Sequence, residues 1–499
     1  MTAGIFYRIG RDSMLKNDLV ELRITDFTQE GLGVGHAGGM AVFVKDTVIG
    51  DLVSALITKV KKNYAYGRVM RVLEESTDRV TPPCPAARPC GGCQIQMMDY
   101  QAQLRYKQEK VKNCLIRIGG FPETLFDAGM GIMEPILGMD DPFRYRNKAQ
   151  YPVGRDKNGD LVAGFYAGRT HSIIDCRDCL IGVPENARIL DIILAHMKKN
   201  RIEPYDELTG KGLVRHVMIR KGFASGQIMV VLVLAGKDLP GRQDLIARLE
   251  QVPGITSIAV NINRKNTNVI FGEETRVLYG KGWIEDSIRD VRFRIGARSF
   301  YQVNPMQTEK LYGTALDFAS LTGKETVWDL YCGIGTISLF LARHAAQVHG
   351  VEIVPEAIED ARENARINGI ANAAFYVGKA EEILPEKYTD EQIRADVIVV
   401  DPPRKGCERS VLDTMLAMAP ERIVYVSCDP ATLARDLKYL CDGGYALRKV
   451  RAVDQFCHTV HVETVCLLSN RKPDSYVHLN LKMEDYYRIK DAQKEQDKK

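Results

Sequence analysis

Beyond about residue 300, apolar segments alternate with helical stretches, and this rhythm constrains the fold more than any other feature of the chain. The apolar segments are ETVWDLY, AAQVHGVEI, ADVIVVDPP, RIVYVSCDP and ETVCLLS, and stretches such as PEAIEDARENARING lie between them. Strands that alternate with helices in this way form a doubly wound sheet. We therefore predict an α/β domain over residues 298–470, with ligands at the carboxyl ends of its strands.

Two strand ends in this domain have the composition of an adenosine site. The turn DLYCGIGT carries Gly333 and Gly335, which would let a ligand approach the backbone at a helix N-terminus. About 20 residues later, VHGVEI ends in Glu352, where an acid can bind ribose hydroxyls. The full GxGxxG pattern is absent, which argues against NAD. The alternative interpretation is a tight turn followed by a solvated glutamate.

A third strand end carries Asp401, in the segment DPPRKG. The apolar run ADVIVV before it predicts a central parallel strand that is buried on both faces. Asp401 would then lie at the edge where such sheets bind ligands. A rigid turn with a capping aspartate is the alternative, and the neighbouring Arg404 and Lys405 argue against it.

A cysteine and a glutamate complete this edge. Cys428 follows the strand RIVYVS and precedes a helix that begins near Pro430, a position that predicts a lowered thiol pKa. Glu463 lies at the start of the final strand. The residue types alone leave open a buried core cysteine and a sheet-edge carboxylate.

A thiolate and a carboxylate together suit methylation of carbon 5 of uracil. This carbon is not nucleophilic enough to take a methyl group until a thiolate has added to carbon 6. A base must then remove the proton from carbon 5. The target base must also be unstacked to reach the thiolate.

The N-terminal residues 14–75 predict a small β-barrel. LVELRITDF alternates like a strand, and EGLGVGHAGGMAVFV is a glycine-rich turn followed by a β-branched run. Basic side chains accompany Tyr64 and Tyr66, and they are Lys59, Lys61, Lys62 and Arg68. This composition suits contact with the RNA backbone and stacking with bases, and the alternative is an ordinary solvated face.

Residues 76–297 combine strand patterns with a compact group of cysteines. Segments such as KAQYPVG and QIMVVLVLAG predict a mainly antiparallel α+β domain, and YQAQLRYKQEKVKNCLIRIG predicts a basic amphipathic helix. Cys84, Cys90 and Cys93 follow a C-x5-C-x2-C pattern, which is typical of a metal or iron–sulfur site. A fourth ligand would be Cys176 or Cys179. Structural zinc is the second interpretation, and a third is that the four thiols bind no metal.

Composition limits the class of protein. The 499 residues indicate roughly two to four domains. The net charge of +4 neither requires nor excludes a nucleic-acid partner. The sequence has no apolar run of about 18 residues and its start lacks a signal-peptide core, so we expect a cytoplasmic protein with no membrane partner. Residues 471–499 are polar and predict a charged tail.

Together these segments resemble the RNA uracil-5-methyltransferase family, most closely its bacterial members that modify 23S ribosomal RNA. The resemblance spans about residues 14–470, and its motifs, in the family's order, are EGLGVG, CPAARPCGGCQIQ, YRNKAQYPVG, RSFYQVNPMQTEKLY, DLYCGIGT, DPPRKG, SCDPATLARDL and HTVHVETV. It implies an N-terminal TRAM barrel, a central domain with a [4Fe–4S] cluster and a C-terminal Rossmann-like methyltransferase domain. It also implies that the helix near residues 100–120 packs with the catalytic domain.

The resemblance assigns roles residue by residue. Cys428 resembles the nucleophile and Glu463 the proton acceptor. The positions that resemble contacts to S-adenosylmethionine are Gln302, Tyr331, Glu352 and Asp401. The positions that resemble cluster ligands are Cys84, Cys90, Cys93 and Cys179, with Cys179 preferred to Cys176 because it directly precedes the apolar run LIG. We therefore expect a monomeric enzyme that uses S-adenosylmethionine, carries the cluster and acts on RNA, foremost 23S ribosomal RNA.

Three departures and three alternatives accompany this assignment. Lys379 stands where the family usually has an acid, which weakens any role of that loop at the adenine amino group; Asp429 and Cys457 also differ, away from the nucleophile and base. One alternative is a transfer-RNA uridine methyltransferase. A radical S-adenosylmethionine enzyme is disfavoured by the C-x5-C spacing and the available fourth cysteine. A non-catalytic RNA-binding protein is disfavoured by Cys428 and Glu463.

Overall fold

The computed structural model describes residues 14–127, 131–168 and 170–471. The predicted tail therefore lies, apart from its first residue, outside the described residues. Within the described part of the chain, no helix is both long and apolar enough to cross a bilayer.

The N-terminal strands close into a barrel. Their bounds are Leu19–Phe27 (β1), Gly33–Ala37 (β2), Met40–Lys45 (β3), Leu52–Val60 (β4) and Tyr64–Glu74 (β5). Neighbours follow the order β1-β2-β3-β5-β4, and β4 pairs with β1 to close the sheet. Alternate side chains point inward, as the period of a strand requires, and the buried ones are Leu22, Ile24, Val42, Val44, Val53, Ala55, Ile57 and Ala65. The predicted small barrel is confirmed.

A mixed sheet forms the middle of the molecule. The elements from residue 100 to 296 are Tyr100–Arg117 (α1), the 3-10 turn Glu123–Phe126, Met133–Leu137 (β6), Lys148–Arg155 (β7), Leu161–Tyr166 (β8), Ile173–Asp175 (β9), Glu185–Lys199 (α2), Val214–Lys221 (β10), Ile228–Leu234 (β11), Arg242–Leu249 (α3), Ile255–Ile262 (β12), Glu274–Gly280 (β13), Trp283–Ile288 (β14) and Val291–Gly296 (β15). Seven strands form one sheet in the order β13-β12-β11-β10-β7-β8-β9, in which β11 and β12 are parallel and the other pairs antiparallel. Helices α2 and α3 contribute to the apolar core beneath this sheet.

The C-terminal region is a doubly wound sheet, as the sequence predicts. Its elements are Pro305–Ala319 (α4), Thr326–Leu330 (β16), Thr336–Ala342 (α5), Gln347–Glu352 (β17), Pro355–Ile367 (α6), Ala373–Val377 (β18), Ala380–Thr389 (α7), Val397–Val400 (β19), Arg409–Met418 (α8), Arg422–Ser427 (β20), Pro430–Asp442 (α9), Tyr445–Val453 (β21) and Glu463–Asn470 (β22). The strand order is β18-β17-β16-β19-β20-β22-β21-β6. The chain winds outward from β16 in both directions, and ligands bind such sheets at this switch point.

Two elements from before residue 140 belong to this C-terminal sheet in space. Strand β6 pairs in parallel with β21 and forms the eighth strand. Helix α1 packs against α9, β21 and β6. The fully buried Lys107 on α1 is ion-paired to Asp454, which follows β21, and the Tyr100 hydroxyl donates to the same carboxylate over 2.8 Å. The helix is therefore anchored to the C-terminal sheet by a buried polar network.

Candidate active site

Four of the predicted site residues lie along one edge of the C-terminal sheet. Glu352 ends β17, Asp401 follows β19, Cys428 follows β20, and Glu463 begins β22. The strands β17, β16, β19, β20 and β22 are consecutive neighbours in the sheet. Strand β22 runs antiparallel to β20, so it begins at the edge where β20 ends.

Cys428 and Glu463 face each other across two paired strands. Ser427 pairs with Thr464 in the antiparallel ladder, so the next residues outward are Cys428 and Glu463. Glu463 is buried, with 4% of its surface exposed, whereas Cys428 is half-buried. Cys428 is therefore not a fully buried core cysteine, and Glu463 is not a solvated carboxylate.

The glycine-rich turn holds Glu352 in place. Tyr331, Gly333 and Gly335 all have positive φ, at 68°, 55° and 80°. This backbone directs the Gly333 N–H to the Glu352 carboxylate over 3.2 Å, while the Val354 N–H donates to its other oxygen over 3.0 Å. A cavity of about 670 Å³ opens beside the turn, and its lining includes Gly333, Ile334, Glu352, Phe300 and Asp360. Glu352 is therefore fixed by two backbone amides at the wall of a cavity of ligand size.

Gln302 and Tyr331 lie near this edge in different settings. Gln302 is buried at the junction of the two sheets, where its backbone carbonyl accepts from the Asn147 amide over 2.9 Å and its side-chain oxygen from Gln455 over 3.4 Å. Tyr331 leaves β16 and packs against the apolar core. Neither residue lines the cavity beside Glu352. Lys379 pairs with Glu382 over 2.9 Å.

Cys428 opens into a second cavity of about 380 Å³, built by four parts of the chain. The barrel contributes Gln29 and Glu30, the cysteine-rich segment Gln94, and α1 Lys110 and Cys114; the C-terminal sheet completes the lining with Arg404, Cys428, Asp429, Pro430, Ala431, His461 and Val462. No sequence pattern predicts Gln94, Lys110 or His461 at this site. Gln94 directly follows the last cysteine of the C-x5-C-x2-C pattern, but nothing local in the sequence connects that segment to Cys428.

The prediction of a low pKa for Cys428 is wrong for the protein without bound ligands. Burial, followed by the charges of Glu463 and Asp401, raises the pKa of the thiol to about 12, and Arg404 only partly opposes this. The helix N-terminus does not compensate, because the Asp429 carboxylate caps α9 by accepting from Ala431 and Thr432 over 2.9 and 3.1 Å. The cap takes the amides that would otherwise stabilise a thiolate.

The two carboxyl groups beside the thiol also favour protonation. Burial raises the pKa of Asp401 to about 6. Burial and then the neighbouring Asp401 raise the pKa of Glu463 well above its usual range, while Arg404 lowers it. Like charges this close resist simultaneous ionisation. The pKa values of both acids are therefore raised, and a bound cation would lower them.

The predicted cluster ligands gather around a third cavity. Its volume is about 280 Å³, and five cysteines line it, namely Cys84, Cys90, Cys93, Cys176 and Cys179. Two of these thiols are tied to nearby backbone, since the Gly92 N–H donates to the sulfur of Cys90 over 3.4 Å, and Cys179 accepts from the amides of Ile181 and Gly182. Among the described residues, no group of three or more histidine, cysteine, aspartate or glutamate side chains is arranged to hold a metal ion. The thiols thus surround a space and do not converge on a point.

Comparisons with known proteins agree with this geometry. Residues 259–471 match the family described as tRNA (Uracil-5-)-methyltransferase, and residues 16–70 match the TRAM domain. An uncharacterised RNA methyltransferase of Halalkalibacterium halodurans is 52% identical over 454 residues, which cover 91% of this chain and 97% of that protein. Another, of Clostridium tetani, is 48% identical over 455 residues with the same coverage of both chains.

A solved structure shares the architecture over nearly the full length. The Pyrococcus abyssi tRNA (uracil-54, C5)-methyltransferase in complex with S-adenosyl-L-homocysteine is 25% identical, and the match has a TM-score of 0.70 and covers 90% of this chain and 99% of that one. The closed N-terminal barrel and the C-terminal doubly wound sheet are the parts that the TRAM and methyltransferase matches describe. The chain belongs to the family of S-adenosylmethionine-dependent RNA uracil-5-methyltransferases.

Proposed function

We propose that this protein methylates carbon 5 of a uridine in 23S ribosomal RNA, with Cys428 as the nucleophile and Glu463 as the base. The observation that carries the proposal is the register of β20 and β22, which sets Cys428 opposite Glu463 at the edge of the sheet that also carries Asp401 and Glu352. A nucleophile, a base and a methyl-donor site are the three parts that this reaction requires.

The reaction follows from these positions. The target base leaves its stack and enters the cavity. The Cys428 thiolate adds to carbon 6, and the electron pair of the ring moves to oxygen 4, which makes carbon 5 nucleophilic. Carbon 5 takes the methyl group from the sulfonium of S-adenosylmethionine, which leaves as S-adenosylhomocysteine. Glu463 then accepts the proton of carbon 5, the ring double bond re-forms, and the carbon–sulfur bond breaks to return the thiolate.

The charges of the site set a condition on this sequence of steps. Without ligands, burial keeps the pKa of Cys428 at about 12 and that of Glu463 well above its usual range. A positive charge lowers the pKa of any acid beside it. Arg404 supplies one such charge, and the sulfonium of the methyl donor would supply another. In this proposal, Cys428 and Glu463 ionise when the donor is bound.

The methyl donor would lie across the strand ends from Glu352 to Asp401. Glu352 is held ready by Gly333 and Val354, at the position where an acid binds ribose hydroxyls. Asp401, Gln302 and Tyr331 are proposed as its further contacts, of which Asp401 is the one whose charge acts on Glu463.

We also propose that Cys84, Cys90, Cys93 and Cys179 bind a [4Fe–4S] cluster. Such a cluster takes four thiolates, and the thiols present fit it because they line one cavity of about 280 Å³. The amides of Ile181 and Gly182 donate to Cys179, as is usual for a sulfur that carries charge. When bound, the cluster would join the cysteine-rich segment to the strand β9 region; the methyl transfer does not need it.

The nature of the RNA is the finer question. The combination of a TRAM barrel with a cysteine cavity supports ribosomal RNA, as in the bacterial relatives that the sequence resembles. A transfer-RNA substrate is the second candidate. The structural match to the Pyrococcus abyssi tRNA (uracil-54, C5)-methyltransferase, which covers 90% of this chain, favours it. Unmodified 23S and tRNA transcripts, offered together with labelled S-adenosylmethionine, would decide between them. We expect label in the 23S transcript, and label in tRNA alone would overturn this choice.

Two variants test the chemistry. We expect Cys428→Ala to abolish turnover, whereas Cys441→Ser, a half-buried thiol on the helix that follows Cys428, should keep it. Glu463→Gln should accumulate a covalent protein–RNA adduct, because the carbon 5 proton is no longer removed. The adduct would migrate slowly on a denaturing gel. Full activity of Cys428→Ala would end the proposal.

A further inference from the structure

The cysteine cavity contains one thiol more than a cluster requires. Four cysteines satisfy a [4Fe–4S] cluster, yet Cys176 lines the same cavity as Cys84, Cys90, Cys93 and Cys179. Cys84, Cys90 and Cys93 come from one segment, and the other two come from the C-x2-C turn after β9. The surplus thiol is thus confined to one side of the cavity.

Both cysteines of this turn are held firmly. The Cys176 N–H donates to the carbonyl of Ala163 on β8 over 3.2 Å. The approach is so close that a Cβ on Gly164 would lie 1.8 Å from the Ile174 carbonyl oxygen and 2.7 Å from the Cys176 nitrogen. At the other end of the turn, the Cys179 carbonyl accepts from Gly182 over 2.9 Å.

Cys176 and Cys179 are three positions apart in this turn, and both line the cavity together with Cys84. Arg144 fixes the turn between them by donating to the Asp178 carboxylate over 2.6 Å and to the Cys179 carbonyl over 3.0 Å. Two thiols from one rigid turn therefore line the same cavity.

We propose that Cys176 and Cys179 are interchangeable ligands for the fourth iron of the cluster. This inference rests on the cluster assigned under the proposed function. In the exchange, one iron–sulfur bond breaks, the other forms, and the proton of the incoming thiol passes to the outgoing sulfur, so no electron is transferred. The cysteine that is not bound would stay in the cavity lining, in the same turn as the bound one.

The arrangement predicts an asymmetry among the corners of the cluster. Loss of Cys179 leaves Cys176 in the same turn and the same cavity lining, whereas Cys84, Cys90 and Cys93 are all assigned as ligands and their segment offers no spare thiol to the cavity. A serine at any of these three positions should therefore remove a ligand that no nearby thiol can replace.

Iron and sulfide content of the full-length protein, purified without oxygen, tests the proposal. We expect about four irons per chain for the wild type and for both single variants, Cys176→Ser and Cys179→Ser. The double variant Cys176→Ser/Cys179→Ser and the single variant Cys84→Ser should lose iron and visible absorption. Circular dichroism of each variant would show whether the fold persists. Iron content after chemical reconstitution of the cluster would show again which cysteines are needed to bind it.

The outcomes separate this inference from the function on which it rests. If Cys179→Ser loses as much iron as the double variant, Cys176 is no ligand and the inference is overturned while the cluster stands. If the wild type itself binds no iron before or after reconstitution, the assigned cluster and the inference both fail. Methyl transfer to RNA is a separate measurement, since neither Cys428 nor Glu463 lines the cysteine cavity.

Discussion

At the scale of residues, burial, the charges of Glu463 and Asp401, and the Asp429 cap set the ionisation of Cys428. Asp401, Cys428 and Glu463 were expected at one edge because each adjoins a predicted strand, and the sheet places them there. The pKa of Cys428 was expected to be lowered, but it is raised, because it depends on burial and on the Asp429 cap. Both arise from tertiary packing, which the run SCDP does not encode locally.

The raised pKa of Cys428 predicts a pH profile for its alkylation. At about pKa 12 the free protein holds a neutral thiol, so its reaction with iodoacetamide should be slow at pH 7 and rise about tenfold per pH unit through pH 10. Asp401→Asn removes a charge that raises the pKa and should speed alkylation at neutral pH. Arg404→Gln removes the opposing cation and should slow it. Peptide mass spectrometry isolates this cysteine from the other eleven, and fast, pH-independent labelling would contradict the assignment.

At the scale of elements, local patterns predicted five strands of the eight-stranded doubly wound sheet and missed β18, β21 and β6. Strand β6 is five residues long and pairs with β21, more than three hundred positions later. Such a pairing leaves no periodic signal in the sequence. Lys107 is a similar case: in a basic helix a lysine suggests a solvated face, and only packing reveals that it is fully buried against Asp454.

A side chain at Gly31, the first glycine of the EGLGVG motif, should disturb the Cys428 cavity by steric contact. Gly31 has φ of 79°, and a Cβ there would lie 2.5 Å from the Cβ of Gln94 and 3.3 Å from Val460. Gly31→Ala should therefore push the barrel loop away from the Cys428 cavity and lower kcat/KM for RNA about tenfold to a hundredfold. Gly39→Ala is the matched control, because Gly39 has φ of 75° with no heavy atom within 4 Å of the added carbon. Equal losses in both variants would point to backbone strain alone.

The buried ion pair predicts a large effect on stability. Lys107→Met leaves the Asp454 carboxylate buried without its cation, which should lower the free energy of unfolding by about 3–5 kcal/mol in urea titrations. Adding Asp454→Leu should restore part of the loss, since no charge then remains buried. Arg105→Ala, on the same helix, breaks only an exposed pair with Asp78 and should cost about 1 kcal/mol or less. A small effect of Lys107→Met would mean that water reaches the pair.

At the scale of the whole molecule, three parts that the sequence predicts separately converge on one thiol. The barrel, the cysteine-rich segment and α1 all line the Cys428 cavity. The barrel is also joined to the cysteine-rich segment, because Lys45 donates to the Arg88 carbonyl over 2.9 Å and Arg79 is paired with the buried Asp51. Side-chain contacts between distant segments create this convergence, so composition and periodicity could predict the parts but not their meeting.

An aromatic group on the barrel surface predicts a contribution of the barrel to RNA affinity. Phe43, Tyr64 and Tyr66 form an aromatic group with ring centroids 5.1–5.7 Å apart, and exposed lysines such as Lys61 and Lys62 adjoin it. Stacking of a base on an aromatic ring is worth about 1–3 kcal/mol, so Tyr64→Ala should raise the Kd for RNA by roughly fivefold to a hundredfold. Because the ring is not part of the Cys428 cavity, kcat at saturating RNA should hold.

Salt dependence separates stacking from charge on this surface. Lys61→Ala and Lys62→Ala should each weaken binding across all RNA sequences and reduce the slope of log Kd against log salt by about one if the lysine contacts a phosphate. Tyr64→Ala should leave that slope unchanged, because a neutral ring releases no counterions. Lys237→Ala, an exposed lysine beyond β11 on the central sheet, serves as the charge control. If Lys237→Ala lowers the slope as much as the barrel variants do, then the protein attracts RNA through diffuse charge, and the aromatic group on the barrel is not where the strand is held.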